Sequence, residues 1–396
     1  MPRRAVTVAA PATPSGRGGI AAILVTGPDA ETIVNRVFRP RGPERGGVSV
    51  GHVLWRGDVV DEAVLLRFPA GEGAEPRLEI DVHGGRGSVA AVMAALAEAG
   101  AAPLSTPSEL RAFLASRGDI DAIQAEAEAA LEEAATIEAA AFFAAAASGR
   151  LSAEIERLAA SLEAREPGAA GRLERLAAGA AAGMALARPR SAVLCGRPNA
   201  GKSTLMNAVA GASLSITSDL PNTTRDAVDA VVALSGWPVH LVDTAGLGTD
   251  PGGEVERLAA RAARRALAVA DVAVLVVDGS APIGEADDLA AALPGGVPAV
   301  VAVTRADLEP AFGRDSLPFR GTPSVRVSGV TGEGLESLFA AIVAALSLPP
   351  RPPRGPGLFT ERQAEAARAA VAASGGGATA EAASVLRALF SPAHGG

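Results

Sequence analysis

The stretch Gly196-Arg197-Pro198-Asn199-Ala200-Gly201-Lys202-Ser203-Thr204 decides the fold. It matches GxxxxGKS/T, follows an apolar run (Ala192–Cys195) that reads as a strand, and precedes a helical pattern. Each residue type has a physical task. The glycines permit a loop tight enough for successive main-chain N–H groups to point at phosphate oxygens. The helix N-terminus adds partial positive charge. Lys202 places a compact ammonium between β- and γ-phosphates, where a planar guanidinium would not fit the same cradle. Ser203 offers a hydroxyl to Mg²⁺, and Asn199, Ala200, Gly201 and Thr204 complete the expected wrap. Lys202 is also the only lysine among 36 basic residues. Its survival in so arginine-rich a chain marks a position that arginine cannot fill.

Three further clusters follow in order, each after a strand-like run. Asp243-Thr244-Ala245-Gly246 offers an aspartate to Mg²⁺ through water and a Gly246 N–H to the γ-phosphate. In Thr223-Thr224-Arg225-Asp226, which lies between that cluster and the first loop, Thr224 can supply a second hydroxyl to Mg²⁺. Thr304-Arg305-Ala306-Asp307 ends a buried run, and its aspartate can accept from guanine N1–H and the 2-amino group, which adenine cannot provide. Ser328-Gly329-Val330 closes the base pocket. Any one of these is weak. In sequence they predict a Ras-like GTP site and disfavour P-loop kinases and ATPases.

Working outward, residues 1–104 mix strand-like runs (Ile20–Val25, Val59–Phe68, Leu78–Val82) with Gly/Pro turns and one helical pattern, Ser88–Ala99, predicting a small α+β domain. Over 105–188 the texture turns to Ala, Glu, Leu and Arg, with Ile123, Ala127, Ala130 and Leu131, then Ile155, Leu158 and Leu162, at helical spacing. That predicts a helical bundle. Over 189–349, β-branched runs (Ala192–Cys195, Val239–Val242, Val272–Val277, Ala299–Val303, Val325–Val327) alternate with helical stretches, as βαβ units of a mostly parallel sheet do. A proline-rich linker follows, and 357–396 is helical again, broken at Gly375-Gly376-Gly377. The expected chain is therefore multidomain: an α+β N-terminal domain, an α-helical bundle, and an inserted Ras-like α/β P-loop G domain whose flanking helical pieces pack together.

Composition narrows the classes. An apolar share of 48% excludes a disordered tail protein. One cysteine rules out a disulfide framework, and no charged start leads into an apolar stretch, so a reducing cytoplasm is expected. Cys195 itself is expected to be a buried structural thiol. No apolar run reaches the roughly 20 residues that cross a bilayer, so no membrane is expected. A net charge of −8 gives no global basic field, so any nucleic acid must be held by a local patch or a partner subunit.

The motifs extend beyond the nucleotide site. Gly16-Arg17-Gly18-Gly19 and Glu79-Ile80-Asp81-Val82-His83-Gly84-Gly85 lie in the first domain. Pro107-Ser108-Glu109-Leu110-Arg111-Ala112-Phe113-Leu114 and Gln124-Ala125-Glu126-Ala127 open the helical part, and Phe359-Thr360-Glu361-Arg362-Gln363 restarts it. With the four nucleotide clusters they resemble the MnmE (TrmE) family of tRNA-modifying GTPases over nearly the whole chain. The resemblance implies a homodimeric hydrolase of GTP to GDP with no arginine finger, using Mg²⁺ and activated by K⁺ when two G domains meet. The K⁺ ligands it implies are Asn199, Ser218, Leu220 and Thr223. Glu256, in Glu254-Val255-Glu256-Arg257, matches the family's acidic residue that orients the attacking water, alongside Lys202, Thr224 and Gly246. It implies an FAD-dependent MnmG-like partner, a tRNA whose wobble uridine is modified at C5, and 5-formyltetrahydrofolate near Glu79 and Arg117.

The chain also departs from the family pattern. Asn222 stands for a glycine, and Thr304-Arg305 for Asn-Lys. Leu24 stands for a folate-contacting arginine, and Arg117 for a lysine. The last residues, Phe390-Ser391-Pro392-Ala393-His394-Gly395-Gly396, hold neither cysteine nor terminal lysine where the family has a Cys-Ile-Gly-Lys-type end. These departures set folate and uridine chemistry apart from GTP hydrolysis. They leave a divergent regulatory GTP switch as the alternative; a ribosome-assembly GTPase is disfavoured by the acidic balance.

Overall fold

The computed structural model describes residues 6–13, 18–69, 75–212, 229–243, 265–282, 296–313, 316–317, 319 and 321–391, in two compact units, Met1–Ala125 and Glu126–Gly396.

In the first unit, alternating burial along β1 (Val8–Pro11), β2 (Ile20–Thr26), β3 (Phe38–Pro40), β4 (Val48–Trp55), β5 (Asp58–Phe68), β6 (Arg77–His83) and β7 (Ala102–Pro103) builds one sheet, ordered β3-β4-β5-β6-β2-β1-β7. All pairs are antiparallel except β1 with β7. Helices α1 (Ala30–Val37) and α2 (Arg86–Glu98) cover one face through Ile33, Val34, Val92 and Leu96, burying Ile23, Val25, Leu65 and Ile80. On the other face, Leu110 and Leu114 of α3 (Pro107–Arg117) close over Ala10 and Leu24. Thr106 caps that helix by accepting from the Glu109 N–H, with Pro107 in its first turn. Because α3 buries its apolar stripe on the sheet, the unit runs on to Ala125, past the change of texture near residue 104.

The second unit holds the helices α5 (Ile137–Ala147), α6 (Arg150–Glu163), α7 (Ala169–Ala178) and α8 (Ala180–Ala187), preceded by α4 (Ala122–Glu132). The sheet that follows comprises β8 (Arg190–Gly196), β9 (Asp229–Leu234), β10 (Trp237–Asp243), β11 (Val272–Asp278), β12 (Ala299–Thr304) and β13 (Ser324–Arg326). Its order is β13-β12-β11-β8-β10-β9, and every pair is parallel except the β9–β10 hairpin. The central strands β8, β11 and β12 are buried on both faces, as continuous Val/Leu/Ala runs require. Helices α9 (Lys202–Ala212) and α10 (Leu335–Ala345) belong to this α/β part.

The helical pieces before and after the sheet do pack together. Helix α11 (Glu361–Gly375) lies against α7, and α12 (Thr379–Arg387) against α6. Phe359 packs edge-on to Phe142 and Phe143, with ring centroids 6.3 and 5.4 Å away. Two of the motif segments also meet: Glu126 accepts from Arg362 Nε at 2.8 Å and Gln363 Nε2 at 2.7 Å. On the sheet side, Trp237 is fully buried and its indole N–H donates to the Pro349 carbonyl at 2.9 Å. No helix of the described residues is long and apolar enough to cross a membrane.

Candidate nucleotide site

The C-terminal ends of β8, β10, β11 and β12 and the residues just after β13 lie on one edge of the parallel sheet, where an open α/β sheet presents a ligand crevice. The loop from β8 into α9 is shaped by two glycines. At Gly196 a Cβ would stand 2.4 Å from the Val276 carbonyl of the adjacent strand. Gly201 has φ +94° and faces Thr304, so a side chain there is both strained and crowded. Asn199 takes a φ of +63°, which asparagine tolerates better than most residues.

Lys202 begins α9 and is only 8% exposed. Its ammonium donates to the carbonyls of Gly196 (3.0 Å) and Arg197 (2.9 Å), so it lies curled inside the loop. Burial pushes its pKa down, and the nearby Asp243 carboxylate opposes that. Ser203 Oγ donates to Asp243 Oδ2 at 3.2 Å. The other carboxylate oxygen, Oδ1, is buried and has no hydrogen bond among the described residues. Desolvation pushes the Asp243 carboxyl above its ordinary range, partly offset by Ser203 and Lys202. A hydroxyl beside a carboxylate with an unsatisfied oxygen is a donor set that a hard divalent cation fits, since Mg²⁺ is usually held by one or two such oxygens plus phosphate and water. Cys195, one residue before the loop, is buried, and its thiol is pushed up to about 12 by desolvation, so it is inert.

The base side is built by β12 and the turn after β13. Thr304 Oγ1 donates to the Ala200 carbonyl at 2.7 Å and lies 3.1 Å from Val277 O. Arg305, with φ +59°, ion-pairs with Asp278 at 2.9 Å and donates to Ser280 Oγ and to the Asn199 carbonyl, both at 3.1 Å. The Thr-Arg pair thus ties the phosphate loop to the ends of β11 and β12. Asp307 is exposed, and the hydroxyl of buried Ser328 bonds its carboxylate and lowers its pKa. Ser328 Oγ also accepts from the N–H groups of Val330 and Thr331 at 3.2 and 3.1 Å. Gly329 sits so close to Thr204 that a Cβ would meet it at 3.0 Å.

Lys202, Ser203, Thr304, Arg305, Asp307 and Gly329 are among the residues lining a cavity of about 660 Å³, and Asp243 and Ser328 stand behind that lining as hydrogen-bond partners of Ser203 and Asp307. Two of its features were not singled out from sequence. Leu308, 49% exposed, is an apolar wall beside Asp307, facing a space also bounded by Val330. Asp278 is the anchor of Arg305. The usable signals were an exposed leucine directly after the aspartate of a strand-end motif and a lone acid closing a valine run.

Of the other expected site residues, Ser218, Leu220, Thr223, Thr224, Thr244, Ala245, Gly246 and Glu256 lie outside the described residues, as does Asn222. In the first unit, Glu79 has Asp81 and Arg77 as its charged neighbours, and burial raises its pKa. Arg117 pairs with Glu75 at 2.6 Å and Asp119 at 3.2 Å. Leu24 is buried in the α3 contact. His83 Nδ1 lies 2.5 Å from Asp61 Oδ1, a pairing that raises the histidine pKa and anchors it to β5.

Residues 7–117 match the family described as the GTP-binding protein TrmE N-terminus, and residues 191–305 one described as 50S ribosome-binding GTPase. A tRNA modification GTPase MnmE from Symbiobacterium thermophilum is 37% identical, over 85% of this chain and 81% of its own length. Another from Chloroflexus aurantiacus is 39% identical, over 71% and 68%. Among solved structures, the cytosolic domain of the T. maritima FeoB iron transporter in its GMPPNP form is 27% identical. It covers 41% of this chain and 65% of that one, with a TM-score of 0.33.

Proposed function

The chain belongs to the MnmE family of tRNA modification GTPases, and from that premise we propose that it couples Mg²⁺- and K⁺-dependent GTP hydrolysis to C5 modification of wobble uridine in cytoplasmic tRNA. That it is a GTP hydrolase follows from the family and from the matched GTPase domain. The observation that carries the rest is the convergence of Lys202 and Ser203, at the start of α9, on Asp243 at the end of β10, whose Oδ1 has no hydrogen bond among the described residues.

In this reading Lys202 exchanges its loop carbonyls for β- and γ-phosphate oxygens when GTP enters. Asp307 accepts from guanine N1–H and the 2-amino group, between Leu308 and Val330. Arg305 and Thr304 keep the phosphate loop in register with the base pocket. Ser203 and Thr224 would hold Mg²⁺ with Asp243 behind them, and the ion would neutralise charge on the β- and γ-oxygens. K⁺ held by Asn199, Ser218, Leu220 and Thr223 would supply beside the phosphates the positive charge that an arginine supplies elsewhere, where it is worth roughly 10³–10⁵-fold in rate. Glu256 positions the attacking water, and Gly246 N–H reports the γ-phosphate. A homodimer brings two G domains together, and an FAD-dependent MnmG-like protein supplies the redox chemistry. The division into 1–104, 105–188, 189–349 and 357–396 belongs to the same proposal. Folate is left out of it, because Arg117 is committed to Glu75 and Asp119 and Leu24 offers no donor.

The deciding experiment is mass spectrometry of tRNA from cells lacking the gene. We expect 5-substituted wobble uridines to disappear and to return with the wild-type gene; unchanged tRNA would point to a regulatory switch instead. A separate expectation concerns the monovalent ion. Hydrolysis by the purified chain should be at least about tenfold faster in K⁺ than in Na⁺ at equal ionic strength. Equal rates would remove the cation from the mechanism and leave the tRNA result untouched.

A further inference from the structure

A second cavity in the second unit shares no lining residue with the nucleotide site. It is a cleft of about 980 Å³ between α6, α7 and the proline-rich linker, and four arginines from three separate elements line it. Arg157 comes from α6, Arg172 and Arg175 are one turn apart on α7, and Arg351 enters from the linker. The acids in the lining are Glu154 and Glu166, so the basic residues outnumber them two to one. Glu166 is already engaged by Arg172 at 3.3 Å and by Ser161. Arg157 gives its Nε to the Ala153 carbonyl, which leaves its terminal nitrogens to solvent. Arg175 and Arg351 are exposed and make no ion pair among the described residues. Leu158, Leu176 and Pro353 add apolar surface to the same lining.

Exposed arginines facing one another across a concavity repel unless an anion joins them, and their planar forks match phosphate oxygens in pairs. With a net charge of −8 the chain has no global basic field, so such attraction must come from a local patch. A cleft lined by both arginines and apolar side chains suits a unit that is apolar on one side and anionic on the other. An acidic protein surface would meet the chain over a flatter area of about 800 Å² per partner. We propose that this cleft binds RNA, seating backbone phosphate on Arg157, Arg175 and Arg351 and one unstacked base on the apolar side chains. Unpaired segments of RNA are the ones that can be splayed out in this way. The inference rests on the tRNA reading above and gives that RNA a place on the chain, remote in sequence from every residue assigned to the nucleotide. Pro349, which also lines the cleft, is the carbonyl that holds Trp237 at the start of β10, and Asp243 ends that same strand.

The test is tRNA binding to the full chain by fluorescence anisotropy across a salt series, comparing the wild type with the double variant Arg175→Glu/Arg351→Glu. The variant should bind at least about tenfold more weakly at 0.1 M salt, and its log K against log salt should be shallower by about 2, one for each lost phosphate contact. Hydrolysis of GTP without RNA should be unchanged, which also reports that the variant is folded. Equal affinity and equal slope would overturn the cleft while leaving the tRNA reading standing. No binding by the wild type even at low salt would also overturn the cleft, and the tRNA reading would then stand or fall on the mass spectrometry above. Displacement of tRNA by polyglutamate as readily as by polyuridylate of equal charge would show an acidic-protein site and overturn the RNA assignment.

Discussion

Lys202→Ala is expected to abolish measurable turnover, lowering GTP hydrolysis by about 10³-fold or more. Removing a single preorganised donor from developing charge already costs about 10²–10³-fold, and here the donor is a full positive charge. The cradle is closed around it: the residue is 8% exposed, and its ammonium reaches two loop carbonyls at 3.0 and 2.9 Å. Burial depresses its pKa, which means the loop holds the charged form at a cost that a polyphosphate would offset. The sign follows from linkage. With the folded pKa below the unfolded one, the unfolded chain binds more protons as pH rises toward 10.5, so the nucleotide-free protein gains stability across that window and bound GTP should flatten the gain. Lys202→Arg should not rescue turnover, because a guanidinium has no room between Gly196 and Arg197. Single-turnover hydrolysis checks both variants. Since the chain has one lysine, acylation with an amine reagent gives an independent readout. Lys202 should be labelled in the free protein and protected by GTP, and labelling indifferent to GTP would remove this side chain from the site.

How far the sequence could be read differs between the two units, and the reason is local. In the second, glycine spacing, one lysine and strand-end aspartates specify backbone geometry within a few residues, so the loop before α9 and the strand ends that line the cavity are legible without tertiary information. The β-branched runs located β8, β10, β11 and β12 to within about two residues, because strands buried on both faces carry uninterrupted apolar signal. β9 is not among the predicted strands. Asp229–Leu234 pairs only with β10, antiparallel, and its membership of the sheet depends on a turn at Ser235-Gly236, where both residues have positive φ. In the first unit, α1 is amphipathic, with Ala30, Ile33, Val34 and Val37 on its buried face, but eight residues are too few to form a helix alone, and it depends on packing onto the sheet. The role of α3 was also hidden. Its low-contrast sequence, PSELRAFLASR, reads as one more bundle helix until Leu110 and Leu114 are seen against Leu24. What the sequence could not give was pairing at a distance. That Arg305 would span Asp278 and the Asn199 carbonyl, or that Glu126 would meet Arg362 and Gln363, depends on closures of 27 to 237 residues.

Asp307→Asn should convert the base preference. Guanine offers two donors on one edge, N1–H and the 2-amino group, and a carboxylate accepts both. An asparagine amide accepts one and presents its own N–H to the other, so two donors face each other in a half-enclosed pocket. A site that loses such a complement discriminates by roughly 10⁴–10⁵-fold when fully buried. Asp307 is exposed, so about 10³-fold weaker GTP binding is the expected outcome. Xanthine replaces the 2-amino group by a carbonyl, which the asparagine N–H can meet, so XTP should bind and be hydrolysed by the variant while ATP remains excluded. The phosphate loop is untouched by the change, hence turnover at saturating XTP should approach the wild-type rate with GTP. The Ser328 hydroxyl holds the Asp307 carboxyl below its ordinary range, keeping it ionised wherever the protein is assayed near neutrality. The wild type's preference for GTP over ATP should therefore not titrate between about pH 6 and 8. Calorimetry with GDP and XDP on both proteins measures the exchange. A variant that keeps GDP and ignores XDP would mean that Asp307 does not read the base, and that recognition falls instead to main-chain groups around Ser328 and Gly329.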